Sequence, residues 1–135
     1  MKKRVLFVCV ANAARSQMAE GYANARYGDR IRAHSAGLVP GRLSSHAVRA
    51  MAEMGIDISG HRSKSLDEFE GREMDLLVTV CEGGRCPVFP WAKEIIHQEF
   101  PDPSGFTGTD EEIMDGFRQV RDEICAWIDM ACGAK

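Results

Sequence analysis

The chain has 135 residues, 44% of them hydrophobic, and a formal net charge of −3. That length buries a core without disulfides or a structural metal, and an acidic balance with no Lys/Arg run excludes a general nucleic-acid binder. No apolar stretch is long enough to span a membrane, and the apolar run after the basic Met1-Lys2-Lys3-Arg4 is too short for a secretory leader.

A cytoplasmic protein is therefore the simplest expectation, with its five cysteines reactive or buried rather than permanent cross-links. Arg4-Val5-Leu6-Phe7-Val8 is short, β-branched and aromatic, and reads as a buried strand. Ser16 to Arg26 places Met18, Ala19, Tyr22 and Ala25 at helical spacing. A second strand is predicted over Ile31–Gly37, then a loop over 38–43. A helix capped by Ser44 or Ser45 follows and runs to about Met54, with Gly55 as its C-cap. Ser63 to Glu70 reads as a short helix or turn, Asp75–Val80 as the third strand, and Ala92–His97 as a fourth, short strand. Thr109 or Asp110 caps a final helix with an apolar stripe from Ile113 to Ile128. Strands alternating with helices predict one α/β domain over residues 1–135: a central four-stranded parallel sheet with helices on both faces. Ligands of such sheets sit beyond the carboxyl ends of the strands, where Cys9, Gly37 and Cys81 are expected.

The chemistry concentrates in Cys9-Val10-Ala11-Asn12-Ala13-Ala14-Arg15-Ser16. A loop between strand and helix must curl into the helix N-terminus, where free N–H groups and the positive end of the dipole favour an anion. Cys9 at its mouth is placed to react as a thiolate. The amides of Val10, Ala11, Asn12, Ala13 and Ala14 would surround the anion, and Arg15 would grip two of its oxygens with a planar fork. Ser16 is placed to donate to the Cys9 sulfur and Asn12 to tie the loop together. The loop lacks the Gly-Lys-Ser/Thr ending of a nucleotide-binding P-loop.

Cys81 follows the third strand, and Cys86 comes five residues later across two glycines. A redox pair, plain structural burial and a zinc site are all open readings of these two, the zinc spacing being unusual. Asp102, between two prolines, is either a turn residue or a carboxyl held over the Cys9 loop as general acid. The four histidines show no ligand spacing and read as surface or capping residues. Cys125 and Cys132 share one face of the last helix and read as packing.

Together Cys9 to Gly21, Ser35-Ala36-Gly37, Gly55 to Ser59, Asp75 to Thr79 and Asp102-Pro103 resemble the low-molecular-weight protein tyrosine phosphatase superfamily, and within it the thiol-relay arsenate reductases. The resemblance runs nearly end to end. It implies that Cys9 attacks arsenate, with phosphate as a competitor, while Arg15 and the loop amides hold the oxyanion, Ser35 supports the loop and Asp102 protonates the leaving oxygen. Cys81 would then attack the Cys9 sulfur and release arsenite, and Cys86 would attack Cys81, leaving a disulfide for thioredoxin or a similar thiol reductant. No cofactor is expected. Some relatives hold potassium beside the loop. Asn12, Glu20 and Ser35 match that donor set, but Lys64 stands in place of an Asp.

The same residues would serve a phosphatase acting through a phosphocysteine. Tyrosine phosphatases of this family wall the pocket with aromatic residues. The stretch Leu38 to His46 has none, and Ser104-Gly105-Phe106 follows Asp102-Pro103, which points to a small inorganic oxyanion. A non-catalytic redox or arsenic-sensing module would need Cys81 and Cys86 but not Asp102.

Overall fold

A computed structural model describes residues 2–81 and 89–133. Four strands, β1 (Lys3–Cys9), β2 (Ile31–Gly37), β3 (Leu76–Thr79) and β4 (Ile95–His97), form one parallel sheet in the order β2-β1-β3-β4. The helices are α1 (Arg15–Tyr27), α2 (Ser45–Ala52) and α3 (Asp110–Cys132), with short 3-10 turns at Leu66–Phe69 and Pro103–Gly105.

Strand β1 is central because it alternates apolar side chains to two dry faces. Val5, Phe7 and Cys9 join a core with Met18, Ala19 and Tyr22 of α1, Ala47, Ala50 and Met51 of α2, and the buried stripe of α3. Leu6 and Val8 point the other way, under Phe69, Met74, Leu77 and Phe89. Parallel strands covered on both sides read as near-continuous apolar runs, which is what β1 and β3 show.

Where the sequence places a cap, the backbone largely agrees. Ser44 accepts from the Ala47 amide at the start of α2, and Thr109 and Glu112 form a reciprocal capping box at the start of α3. Helix α2 ends at Ala52, earlier than its apolar spacing predicts, with Glu53 as a right-handed cap. Gly55 lies beyond it at φ 77°, in the turn that returns the Ile56 amide to the Met51 carbonyl. The fourth strand is shorter than predicted, since Ala92 makes only an isolated bridge to Met74. No helix among the described residues is long and apolar enough to cross a membrane.

The register places the site. Cys9 lies opposite Gly37, and Val8 opposite Thr79. Both chains that leave β1 and β3 therefore exit at one edge, where the strand order switches direction.

Candidate active site

The loop from β1 to α1 is held from outside by its carbonyls. Those of Cys9, Val10, Ala11 and Ala13 accept from the amides of Leu38, Val39, Gly41 and Ser44, and Ala11 also accepts from Ser63 Oγ. Because each peptide unit is planar and trans, a carbonyl turned outward turns the next N–H inward. The amides from Val10 to Ala14 thus converge on the space above Cys9. Ala14 offers no side-chain cap to α1, so the first-turn amides are left for an anion.

Cys9 itself is buried, and its sulfur is surrounded by donors. The Asn12 amide lies 3.2 Å from Sγ and Ser16 Oγ lies 2.9 Å from it. Ser16 Oγ accepts from Asn12 Nδ2 at 2.7 Å, which leaves its own hydrogen for the sulfur. These contacts hold the sulfur in place under the loop.

Arg15 is 5% exposed. One guanidinium nitrogen is anchored to the carbonyls of Val80 and Phe100 at 3.4 and 3.2 Å, and the other lies 3.5 Å from Asp102 Oδ2. Asp102 uses its two oxygens differently. Its Oδ1 accepts from the amide and hydroxyl of Ser104, capping the short turn, while Oδ2 faces the guanidinium. Burial pushes the Asp102 carboxyl up, but the Ser104 bonds and Arg15 outweigh it and hold its pKa below the usual carboxylate range.

Cys81 is 1% exposed and points back to the Val8 carbonyl at 3.6 Å. Burial, followed by the charge of neighbouring Cys9, pushes its thiol up to about 11. It therefore waits in the protonated form. Cys86 lies outside the described residues.

Ser35 sits behind the loop, with its hydroxyl on Glu20 Oε1 at 2.5 Å. The Lys64 ammonium lies 3.6 Å from that same oxygen. A tethered cation on the oxygen that would bind a metal, in a set short of one carboxylate, does not fit potassium.

The loop opens into a cleft of about 290 Å³. Its far wall carries Phe106 and, from α3, Ile113 and Phe117, with His46 at the side. The absence of aromatics from 38–46 is thus offset by rings from distant segments, stacked edge-on at 6.4 Å. Two further residues of the site carry no local signal: His46, which bonds Asp110 at 3.0 Å and stacks on Phe117, and the buried Gln17 behind the loop. Helical spacing marks Phe117 as core, and nothing local shows that one edge of it reaches the cleft. Cys125 is core, and burial pushes its thiol up to about 12.

One contact fixes the loop's position against β2. A Cβ on Gly37 would lie 2.7 Å from the Val10 carbonyl oxygen and 2.9 Å from Ala11 C and Asn12 N. All three are backbone atoms that cannot yield without moving the loop. Gly37→Ala is expected to cost about 1–3 kcal/mol of stability and to weaken phosphate binding roughly tenfold. Thermal denaturation and phosphate calorimetry check both.

The family model for low molecular weight phosphotyrosine protein phosphatase matches residues 4–130. The chain belongs to that family. Within it, an arsenate reductase of Halalkalibacterium halodurans is 44% identical over 125 residues, covering 91% of this chain and 90% of the relative. A solved arsenate reductase in the phosphate-binding state matches with a TM-score of 0.84 and 32% identity, over 96% of this chain and 95% of that one. A low molecular weight protein tyrosine phosphatase from T. tengcongensis matches with a TM-score of 0.82 and 31% identity, over 99% of this chain and 100% of its own. Both chemistries of the phosphatase family are therefore represented among its relatives.

Proposed function

We propose that this chain reduces arsenate to arsenite, with Cys9 as nucleophile and Cys81 as the second thiol. The observation that carries this reading is Cys81 itself. Phosphoester hydrolysis needs only Cys9, Arg15 and Asp102, whereas the fold brings a second buried thiol to the same edge, against the last carbonyl before Cys9.

Arsenate enters with its oxygens on the loop amides and Arg15. The Cys9 thiolate attacks arsenic, an As–O bond breaks, and Asp102 delivers one proton so that oxygen leaves as water. Asp102 is ionised at rest, so it takes up this proton only when the incoming anion offsets the Arg15 charge. The product is a Cys9–arsenic(V) adduct. Cys81 then attacks the Cys9 sulfur, passing its thiol proton to an oxygen on arsenic; the S–As electron pair goes to arsenic, and arsenite departs as arsenic(III). The two sulfurs have lost two electrons as a disulfide. Cys86 would take over the disulfide with Cys81, and a dithiol protein of the thioredoxin type would reduce it. A relay of free thiols needs a reducing compartment, which is consistent with the cytoplasm.

The aromatic wall supports a second activity. Phe106, Ile113 and Phe117 line the same cleft as Cys9, Arg15 and Asp102, which is larger than a four-oxygen anion needs. Aryl phosphomonoesters fit that wall. Arsenite release and para-nitrophenyl phosphate hydrolysis, compared for the parent, Cys81→Ser and Cys86→Ser, separate the two chemistries. Both variants are expected to lose reductant-supported arsenate turnover by at least about 10³-fold while ester hydrolysis stays within about twofold. Unchanged arsenite release in both variants would show that Cys81 and Cys86 take no part in the reduction.

A further inference from the structure

Behind the Cys9 loop lies a polar network that the proposed chemistry does not use directly. Asn12 has φ 53°, in the left-handed region, and it is the only non-glycine residue there among those described. That conformation turns its amide onto the Cys9 sulfur at 3.2 Å. Asparagine tolerates it better than most residues, but a left-handed residue still costs of order 1–3 kcal/mol and persists only where its surroundings enforce it.

The enforcement comes from Gln17, on the first turn of α1 and 0% exposed. Its Nε2 donates to the Asn12 carbonyl at 3.1 Å, to Asn12 Oδ1 at 2.9 Å and to the Arg62 carbonyl at 2.9 Å. Three acceptors on one side fix the orientation of the amide, so Oε1 must accept. It does so from His61 Nδ1 at 3.0 Å, which requires the hydrogen on that ring nitrogen. The other nitrogen, Nε2, faces Glu20 Oε2 at 3.9 Å. The backbone amide of Lys64 completes Asn12 Oδ1 at 2.7 Å. A glutamine on an amphipathic helix reads as solvent-facing; here it is buried with its amide fully engaged.

We propose that Gln17 is a positioning residue for the nucleophile: oriented by His61, it holds Asn12 in the left-handed conformation that aims the Asn12 amide at the Cys9 sulfur. The inference rests on Cys9 being the reactive thiol, and the test separates the two. Iodoacetamide is added to the reduced protein at neutral pH, and labelling of the Cys9 peptide is followed by mass spectrometry. If Cys9 in the parent labels no faster than free cysteine, the proposed nucleophile fails. With the parent fast, Gln17→Met, which keeps the volume but no hydrogen bonds, is expected to slow Cys9 labelling about tenfold, as the loss of one well-placed buried hydrogen bond would. Gln17→Glu, which keeps an acceptor but cannot donate to Asn12, is expected to slow with it. Asn12→Ala is expected to slow labelling, and adding Gln17→Met to it should slow it no further, because the glutamine acts through Asn12. His61→Leu, at a partly exposed position, gives an arm that does not depend on Gln17→Met folding; a loss of roughly threefold is expected, absent in the Asn12→Ala background. Parent-like labelling in folded Gln17→Met, or in folded His61→Leu should the former not fold, overturns the proposal. So does a double variant whose loss is the product of the two single losses.

Discussion

Cys9→Ser is expected to remove arsenate turnover and ester hydrolysis together, by about 10⁶-fold in kcat, as loss of a nucleophile that acts within a catalytic unit does elsewhere. The substitution changes one atom. Serine fits the same buried pocket, and the Asn12 amide and Ser16 hydroxyl can still bond an oxygen there. An alcohol, however, is far less acidic than a thiol and does not reach its anionic form at neutral pH. Phosphate binding should survive within about threefold, since the loop amides and Arg15 supply it. Calorimetry with phosphate beside steady-state turnover with arsenate and para-nitrophenyl phosphate measures the split. Equal loss of binding and turnover would mean that the loop had collapsed.

Arg15→Lys should be the next most damaging conservative change, at about 10²–10³-fold in kcat/KM for both substrates. The guanidinium reaches the Val80 and Phe100 carbonyls with one nitrogen and Asp102 with another. Its planar fork does this while still facing the space above Cys9. An ammonium concentrates its donors at one point and cannot serve both carbonyls and two oxyanion oxygens. Buried carbonyls left without donors cost about 1–3 kcal/mol, so a lower melting temperature should accompany the kinetic loss. Asp102 also loses its cationic neighbour in the original geometry, and the pH profile of kcat/KM would report that change. Lysine supporting parent-like rates would show that charge alone, without the fork, holds the oxyanion.

The parts of this architecture that local chemistry dictates could be read from the chain. The β1–loop–α1 unit needs only an apolar run, a Cys–Arg spacing and a helical stripe. The caps at Ser44 and Thr109 follow from side chains bonding the amides just beyond them. Where Cys81 emerges follows from β3 running parallel to β1. What local pattern hides is whatever depends on residues far apart in sequence. Phe106 and Phe117 line the same cleft as Cys9 only because α3 packs against α1, α2 and the short turn before it. Lys64 reaches Glu20, and Gln17 reaches Arg62 and His61, because the segment after α2 passes behind the loop. Helical periodicity marks Gln17 as polar, and it is silent on whether water or Asn12 receives that amide. The end of α2 was hidden for a similar reason. Its apolar spacing continues to Met54, but the turn through Gly55 returns the Ile56 amide to Met51 and stops the helix early.

A single turnover in the absence of any reductant probes the central idea most directly. Fully reduced protein is mixed with one equivalent of arsenate, arsenite is quantified, and the remaining thiols are located by alkylation and peptide mass. About one arsenite per chain is expected, with Cys81 blocked in a disulfide and Cys9 returned to its free, alkylatable form. Arsenite released while Cys81 stays free, or no arsenite from protein that still hydrolyses para-nitrophenyl phosphate, would contradict a reduction that passes from Cys9 to Cys81.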